Sequence, residues 1–386
     1  MKKILVDSLP ENEYITHPVF LDEKYIILSP EMPVSHELKE RLRQWDFTSV
    51  YSDGTQASGL VLETQEGGAQ KSPATIESSI KERELQDSAI RFHLELCKRV
   101  TDIFERFKIK GEIKIGEITE IIKAMISEIK VNKENLLHQH NICEEVDYVV
   151  NHSVRTSILS LCLSDFLKFP PHKQIDIGMA ALLHRVGMLK IPPQIYTSTK
   201  PLSPQERKLI LALPVMSYRI LQENNYPLPV CLAVLEHQER IDGSGYPRHI
   251  SGDKISLYGK IIAVASSYTA AVSKRPFKTE LDGHSGLMDL LKDIGKRYDD
   301  RILRSLVFTL SIYPLGTYVA LSNGTQGVVV KTNPENPKYP VVKLLLTEEG
   351  NAFIEKPVLH TSEGDVVQIV RPLTQPEINL LKEKTG

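Results

Sequence analysis

The chain has 386 residues, with 47 Lys+Arg against 49 Asp+Glu and a formal net charge of −2; 41% of residues are hydrophobic and 25% charged. This is globular composition, which excludes a disordered or fibrous chain. The near-neutral balance excludes a protein built to coat a nucleic acid polymer, which requires a strongly basic face. A small anion, by contrast, needs only a few local cations. At roughly 150 residues per domain the length predicts two or three domains. No apolar run reaches about 18 residues, so no membrane span is expected. The opening stretch MKKILVDSLPENEY is too short in apolar character for a signal-peptide core and reads as a first strand. Cys97, Cys143, Cys162 and Cys231 are scattered with no CxxC, which predicts reduced core thiols and a cytoplasmic location.

In chain order, Lys3–Val6 and Tyr25–Leu28 read as short strands, Ser35 as the cap of a helix through Trp45, and Phe47–Tyr51 as a further strand ending at Asp53-Gly54. Residues 1–62 are therefore a small α+β module without a catalytic motif. Residues 63–78, rich in Gly, Ser, Thr and Gln, read as a linker. Leu85, Ala89, Phe92, Leu96, Val100, Ile103 and Phe107 then recur at helical spacing, as do Ile118, Ile121, Ile122, Met125, Ile126 and Ile129. These two stripes make residues 79–140 a helical stalk. They either pack onto the chain's own domain or serve as signalling or dimer helices.

Residues 141–311 read as a helical bundle. Val149–Phe166 is expected to be amphipathic, Ile175–Leu183 is apolar, and Ser203-Pro204-Gln205-Glu206 is a capping box opening a helix through Leu211. Further helices are expected over Pro229–Glu239 and Ser256–Ser273. After Tyr313-Pro314 the period changes to two: Tyr318–Leu321, the turn Asn323-Gly324, Val328–Lys331 and Val341–Leu345. Residues 312–386 form a small β module.

No GxxxxGK[ST] and no strand–GxGxxG–helix unit is present, which excludes a P-loop or a Rossmann fingerprint. His237-Gln238-Glu239 matches the H-x-E of zinc deaminases, but no PCxxC follows. His138-Gln139-His140 has no thiolate or carboxylate beside it and reads as a solvated helix end. The informative set is His152, His184 and His237, each at or near a predicted helix end.

The sequence around these histidines resembles the HD-GYP family. His184-Arg185-Val186-Gly187-Met188-Leu189-Lys190-Ile191-Pro192 is similar to the HD-x-G-K-x-x-I-P signature, and Glu236 through Pro247 (EHQERIDGSGYP) to HHERxDGxGYP. Lys200-Pro201-Leu202-Ser203-Pro204-Gln205-Glu206 is similar to K-P-x-L-T-x-x-E, Val264 through Ala270 to V-A-D-x-Y-D-A, and Arg275-Pro276-Phe277-Lys278 to R-P-Y-[RK]. The resemblance spans residues 144–280, is weaker over the β module, and does not reach residues 1–75.

The resemblance implies an all-α phosphohydrolase domain acting on cyclic di-GMP with two or three bound metal ions. Adjacent divalent ions polarise a phosphodiester and bring a bridging water towards neutral pKa. Carried over position by position, the ligand set is depleted. His152, His184 and His237 remain. The bridging Asp is Arg185, the phosphate-assisting Lys is Met188, and a further His is Leu213. The second His of HHE is Gln238, the late Asp is Ser266, and a carboxylate found in some members is Tyr148. Arg offers donors but no lone pair and cannot ligate a metal. It is a good partner for phosphate through paired, charge-assisted hydrogen bonds. The other reading of Arg185 is a salt bridge to Glu236 or Glu239 that fills the site.

The expected fold is therefore mainly α: an HD-type helical bundle with a small N-terminal α+β module and a small C-terminal β module. The expected function is that of a degenerate family member in bacterial cyclic di-GMP signalling. It would act as a non-hydrolytic receptor or protein-interaction platform, the alternative being an active metal-dependent phosphodiesterase with an altered metal site. Arg185, Arg240, Asp242, Gly245, Tyr246, Arg275 and Lys278 are the expected ligand-binding residues, though a packed Gly-rich loop equally explains the GYP block and a solvated helix end the last two. His152, His184 and His237 form a vestigial metal site. No cofactor is expected beyond a single weakly bound Zn, Fe or Mn. Cyclic di-GMP, GGDEF-type signalling proteins and a second copy of the chain are the candidate partners.

Overall fold

The computed structural model describes the chain except Met1, Asn12, Thr16, Pro18, residues 22–25, 29–33, 45–46, 54–55, 58–72, 139–145 and 275–279, and Gly386. It divides into two compact units, Met1–Thr75 and Ile76–Gly386.

The first unit holds β1 (Lys2–Leu5), β2 (Tyr14–Ile15), β3 (Val19–Phe20), β4 (Ile26–Leu28), α1 (His36–Gln44), β5 (Ser49–Ser52) and β6 (Gln56–Ala57). A four-stranded sheet has the order β1-β5-β3-β4, and β2 pairs with β6. In β5 inward Val50 and Ser52 alternate with the more exposed Ser49 and Tyr51, the period of a strand with one covered face. Val6, Leu9, Val34, Leu42 and Val50 share its core. Lys39 is buried there, and its ammonium donates to Leu9 O at 2.8 Å and Asp7 O at 3.3 Å, which offsets its desolvation. Trp45 and Tyr25, expected within elements, lie outside the described residues.

The second unit opens with α2 (Pro73–Lys110), all but its first three residues, and α3 (Ile115–His138), the latter kinked at Asn132. The first helix thus begins inside the stretch expected as linker. Next come α4 (Tyr148–Phe166), α5 (Pro171–Leu183), α6 (Pro193–Tyr196), α7 (Pro204–Leu211), α8 (Leu213–Glu223), α9 (Leu228–Glu236), α10 (Leu257–Ala271), α11 (Gly283–Leu291) and α12 (Asp300–Leu310). One buried cluster joins Leu96 and Phe104 of α2, Ile121 and Met125 of α3, Val154 of α4, Leu182 of α5 and Val234 of α9. The apolar stripes before residue 140 are therefore covered by the bundle itself. Gly178 of α5 permits the close approach of α3: a Cβ there would sit 2.6 Å from Ile122 Cγ2.

Two helices of the bundle depart from the expectation. The helix α4 is buried on nearly every face from Val149 to Ser164 and is not amphipathic. Its Ser153, Thr156, Ser157, Ser160 and Ser164 are small enough to sit between helices, so polarity there does not mark a solvent face. The helix α9 ends at Glu236, three residues before the expected end, because the chain turns there: Glu239 N–H donates to Glu236 O at 2.8 Å. Glu236 and Glu239 then hold the following loop by accepting from Ser256 N at 2.8 Å and Arg248 N at 2.7 Å. The capping box is present, with Ser203 Oγ and the Glu206 carboxylate each taking the other's backbone N–H.

The C-terminal strands β7 (Tyr318–Leu321), β8 (Gln326–Lys331), β9 (Val341–Leu346), β10 (Val358–His360) and β11 (Ile369–Pro372) form one antiparallel sheet, ordered β10-β9-β8-β7-β11, closed by α13 (Gln375–Thr385). Asn323-Gly324 makes the expected hairpin turn, with Gly324 at φ +82°. His138 is half-buried near Leu315 and Gly316 rather than a solvated helix end, and burial lowers its pKa; Gln139 and His140 lie outside the described residues. Cys97, Cys162 and Cys231 are buried and none is in a disulfide. Among the described residues no helix is long and apolar enough to cross a membrane.

Ile121 is fully buried between α2 and the bundle. Ile121→Ala is expected to destabilise the fold by about 2–5 kcal/mol in urea unfolding. A loss within about 0.5 kcal/mol, the range of exposed positions, would contradict this packing.

Candidate functional site: a buried histidine cluster beside an open cavity

Two of the three histidines arrive by the same device. His184 is the C-cap of α5, and its Nδ1 donates to Ala181 O at 2.7 Å; His237 is the C-cap of α9, and its Nδ1 donates to Val234 O at 2.6 Å. Each ring thereby satisfies a carbonyl that the last helical turn leaves unpaired. Because a carbonyl only accepts, both Nδ1 atoms carry the proton, and in the neutral ring Nε2 is a lone pair. The third, His152, lies within α4. The rings are adjacent, with centroids 5.3 Å apart for His152–His184 and 4.9 Å for His184–His237.

Ser266 of α10 joins them. Its Oγ is 3.2 Å from His184 Nε2 and 3.1 Å from His152 Nε2. Since His184 Nε2 is an acceptor, the serine proton goes to it, and the serine oxygen accepts from His152 Nε2–H. The His184 tautomer, set by Ala181 O, thus orients the hydroxyl, and the hydroxyl sets His152 as the donor. Thr156 Oγ1 stands 3.4 Å from the same His152 nitrogen. All three rings and Ser266 are buried. Burial holds His237 down to about 3 and His184 well below the ordinary histidine value, with the Arg185 charge lowering both further.

Arg185 follows His184 directly and is half-buried. Its Nη1 donates to Tyr148 Oη at 3.2 Å, and its guanidinium carbon lies 6.0 Å from the Tyr148 ring centroid. Tyr148 in turn stacks on His152 at 5.7 Å. The salt bridge to Glu236 or Glu239 does not form: Glu236 pairs with Arg248, and among the described residues no carboxylate pairs with Arg185.

A cavity of about 510 Å³ opens beside this cluster. His184, Arg185, His237 and Gln238 line one side. Tyr148, Tyr196 and Tyr246 supply aromatic wall, Met188, Ile195, Leu202, Ile210 and Leu213 an apolar one, and Lys200 a second cation. Of the ligand-binding residues expected from sequence, Arg185 and Tyr246 line the cavity. Arg240 instead lies over the Tyr298 ring at 5.4 Å, and Asp242 is exposed, accepting from Ser244 N at 2.9 Å within its own turn. Gly245 is packed against the backbone of Glu239 and Arg240, where a Cβ has no room. Arg275 and Lys278 lie outside the described residues. His184 and His237 reach the cavity wall, and His152 stands behind them.

Sequence reasoning did not nominate Tyr196, Lys200 or Gln238 as ligand residues. The only signal for Lys200 was its place in the Lys-Pro segment, and for Gln238 its position beside His237.

The donors decide whether these residues suit a bridged pair of divalent ions. No carboxylate faces the imidazoles among the described residues, and no group of three or more His, Cys, Asp or Glu is placed to hold a metal ion. Ser266 occupies the His152 and His184 nitrogens, and a cation beside Arg185 meets repulsion of a few kcal/mol at intermediate dielectric. The set does not fit such a centre.

Residues 137–302 match a family model described as an HD domain, and residues 318–385 one described as a KOW domain associated with HD domain. The chain is 29% identical over 243 residues to a protein of Borreliella burgdorferi named cyclic di-GMP phosphodiesterase PdeB, covering 62% of this chain and 63% of that one. It is 26% identical over 329 residues to cyclic di-GMP phosphodiesterase PA4108 of Pseudomonas aeruginosa, covering 83% and 78%. It is 26% identical over 167 residues to 3'3'-cGAMP-specific phosphodiesterase 3 of Vibrio cholerae, covering 43% and 36%. Among solved structures, an HDG"Y"P protein from Bdellovibrio bacteriovorus, Bd1817, aligns at 15% identity and TM-score 0.45 over 79% of this chain and 97% of that one.

The neutral histidines predict a pH dependence. Burial holds His237 at about 3, His184 well below 6.5, and His93, a buried residue of α2 whose Nε2 is 3.0 Å from Asn151 Oδ1, at about 4 in the folded state. Below pH 6.5 the unfolded chain takes up protons that the native state refuses. Stability is therefore full above pH 6.5 and falls progressively towards acid, at about 1.4 kcal/mol per pH unit for each ring. Unfolding in chelator between pH 7 and 5 should show this slope, reduced by about one proton in His237→Gln. An unchanged slope would contradict the neutral buried state.

Proposed function

Residues 137–302 form an HD domain of the HD-GYP family, and from that premise we propose that this protein is a metal-independent, non-hydrolytic receptor for cyclic di-GMP. The observation that carries the reading is Arg185. Its guanidinium lines the cavity, held by Tyr148 and without a carboxylate partner among the described residues. It stands next to His184, at the position where the family's signature has a carboxylate that bridges two metal ions. A guanidinium supplies positive charge and paired donors to a phosphodiester, but it has no lone pair with which to hold a metal and make hydroxide available.

The cavity supports the rest of this reading. At about 510 Å³ it falls within the range of small-molecule sites, and its aromatic and apolar walls suit stacked bases. Lys200 adds a second positive charge. Tyr246 is the member of the GYP block that meets the ligand, while Gly245, Asp242 and Arg240 hold the loop in shape. Arg275 and Lys278 are proposed, from the resemblance alone, to add charge near the phosphates.

Calorimetric titration of cyclic di-GMP into the protein in excess chelator tests this function. The expected result is saturable, near-stoichiometric heat. Arg185→Ala should weaken binding by about 10- to 100-fold, the loss of a charge-assisted hydrogen-bonding group. Unchanged affinity in Arg185→Ala would remove that residue's role. Binding or hydrolysis that appears only on adding Mn or Fe would favour the altered-site phosphodiesterase instead.

A further inference from the structure

Cyclic dinucleotides differ in their bases, and guanine differs from adenine chiefly in two donors on its Watson–Crick edge, N1–H and the N2 amino group. A site that selects guanine through these donors places an acceptor-only group, a carboxylate, opposite them. Among the described residues lining this cavity there is no Asp and no Glu. The nearby carboxylates of Glu236, Glu239 and Asp147 do not line it, and each holds a part of the protein itself. Glu236 takes Arg248 and Ser256 N, Glu239 takes Arg248 N at 2.7 Å, and Asp147 takes Val149 N and Val150 N at the start of α4.

The neutral polar groups that line the cavity are indifferent to the base, the hydroxyls of Thr199, Tyr148, Tyr196 and Tyr246 because each can donate or accept. Gln238 is fixed by its backbone, where its carbonyl accepts from Tyr246 N at 3.2 Å. Its side-chain amide offers one acceptor and two donors, and rotating it by half a turn exchanges them. One orientation accepts from guanine N1–H or N2–H; the other serves adenine, whose N6 and N7 an amide pairs in bidentate fashion. His237, with Nδ1 donating to Val234 O, has Nε2 as a single acceptor, which takes a donor from either purine. Ser198 is spent on its own turn, its Oγ accepting from Lys200 N at 3.1 Å and donating to Lys200 O at 3.3 Å. In the receptor reading the charged groups that line the cavity, Arg185 and Lys200, are engaged by phosphate, which is common to all such ligands, and are thereby kept from guanine O6 and N7.

We infer that the cavity reads the cyclic phosphodiester and not the base, so that it accepts cyclic dinucleotides of either purine, with Gln238 as the base-tolerant contact. This rests on the receptor reading of the same cavity and names its ligand class more broadly than cyclic di-GMP.

The test is a calorimetric panel of cyclic di-GMP, 3'3'-cGAMP and cyclic di-AMP against the full chain in excess chelator, repeated with Gln238→Glu. The expected result is dissociation constants within about tenfold of one another, because no contact rejects a base by leaving a buried polar group unpaired. In Gln238→Glu the new carboxylate should favour cyclic di-GMP over cyclic di-AMP by about tenfold or more. A guanine preference above about a hundredfold in the natural sequence would overturn the inference while leaving the receptor reading intact. A Gln238→Glu variant with the original ratio would overturn the role of Gln238. Absence of heat with all three ligands would overturn the receptor reading, and this inference with it.

Discussion

A single hydroxyl sets the character of the centre. Ser266 Oγ sits between two buried imidazoles and hydrogen-bonds to both; because the Nδ1–H of neutral His184 donates to Ala181 O, the hydroxyl donates to His184 Nε2 and accepts from His152 Nε2–H. That assignment requires a neutral His184, and burial, with the neighbouring Arg185 charge adding to it, lowers the His184 pKa well below the ordinary value. An acidic residue in place of the serine would invert the logic: it would hold a proton or a cation between the histidines. With serine, His152 and His184 are joined through its hydroxyl, and His184 and His237 satisfy the helix ends they cap. The His152–Ser266–His184 link is a hydrogen-bonded unit before any ligand arrives.

The open side of the site follows from the same helix ends. Placing His184 at the C-cap of α5 delivers Arg185 to the cavity wall, and placing His237 at the C-cap of α9 delivers Gln238 beside it. Two structurally constrained histidines thus aim two adaptable side chains. Tyr148 couples the halves: its ring stacks on His152 and its hydroxyl takes the Arg185 guanidinium. The loop after α9 is held by Glu236 and Glu239 from beneath and by the packed Gly245, leaving Tyr246 to form wall. Charge, aromatic surface and a side-chain amide converge on one cavity of about 510 Å³.

Much of this was legible in the sequence, and the exceptions have physical reasons. Helical period located the bundle, the Ser203–Glu206 box located α7, and Asn323-Gly324 located the hairpin, because each is a local signal. Three of the metal-position histidines were found through their flanking motifs. The closing role of Ser266 was not, because it depends on two side chains more than 80 residues away. Periodicity showed that α2 and α3 carry apolar stripes but not that their own bundle covers them. The all-round burial of α4 was hidden by its serines and threonines, which read as a polar face. Arg240, placed in a motif associated with ligand, turns to Tyr298, a partner far along the chain.

The account stands or falls on the histidine cluster being complete without a metal. The most direct measurement is the metal content of the full-length protein, purified without chelator from cells grown in medium rich in iron, manganese and zinc. A cluster closed by Ser266 and flanked by Arg185 predicts sub-stoichiometric amounts of every transition metal, and a thermal midpoint that chelator leaves unmoved. A stoichiometric metal that chelator removes, with a lowered midpoint on its removal, would show that the cluster is a true metal site and would contradict the account at its centre.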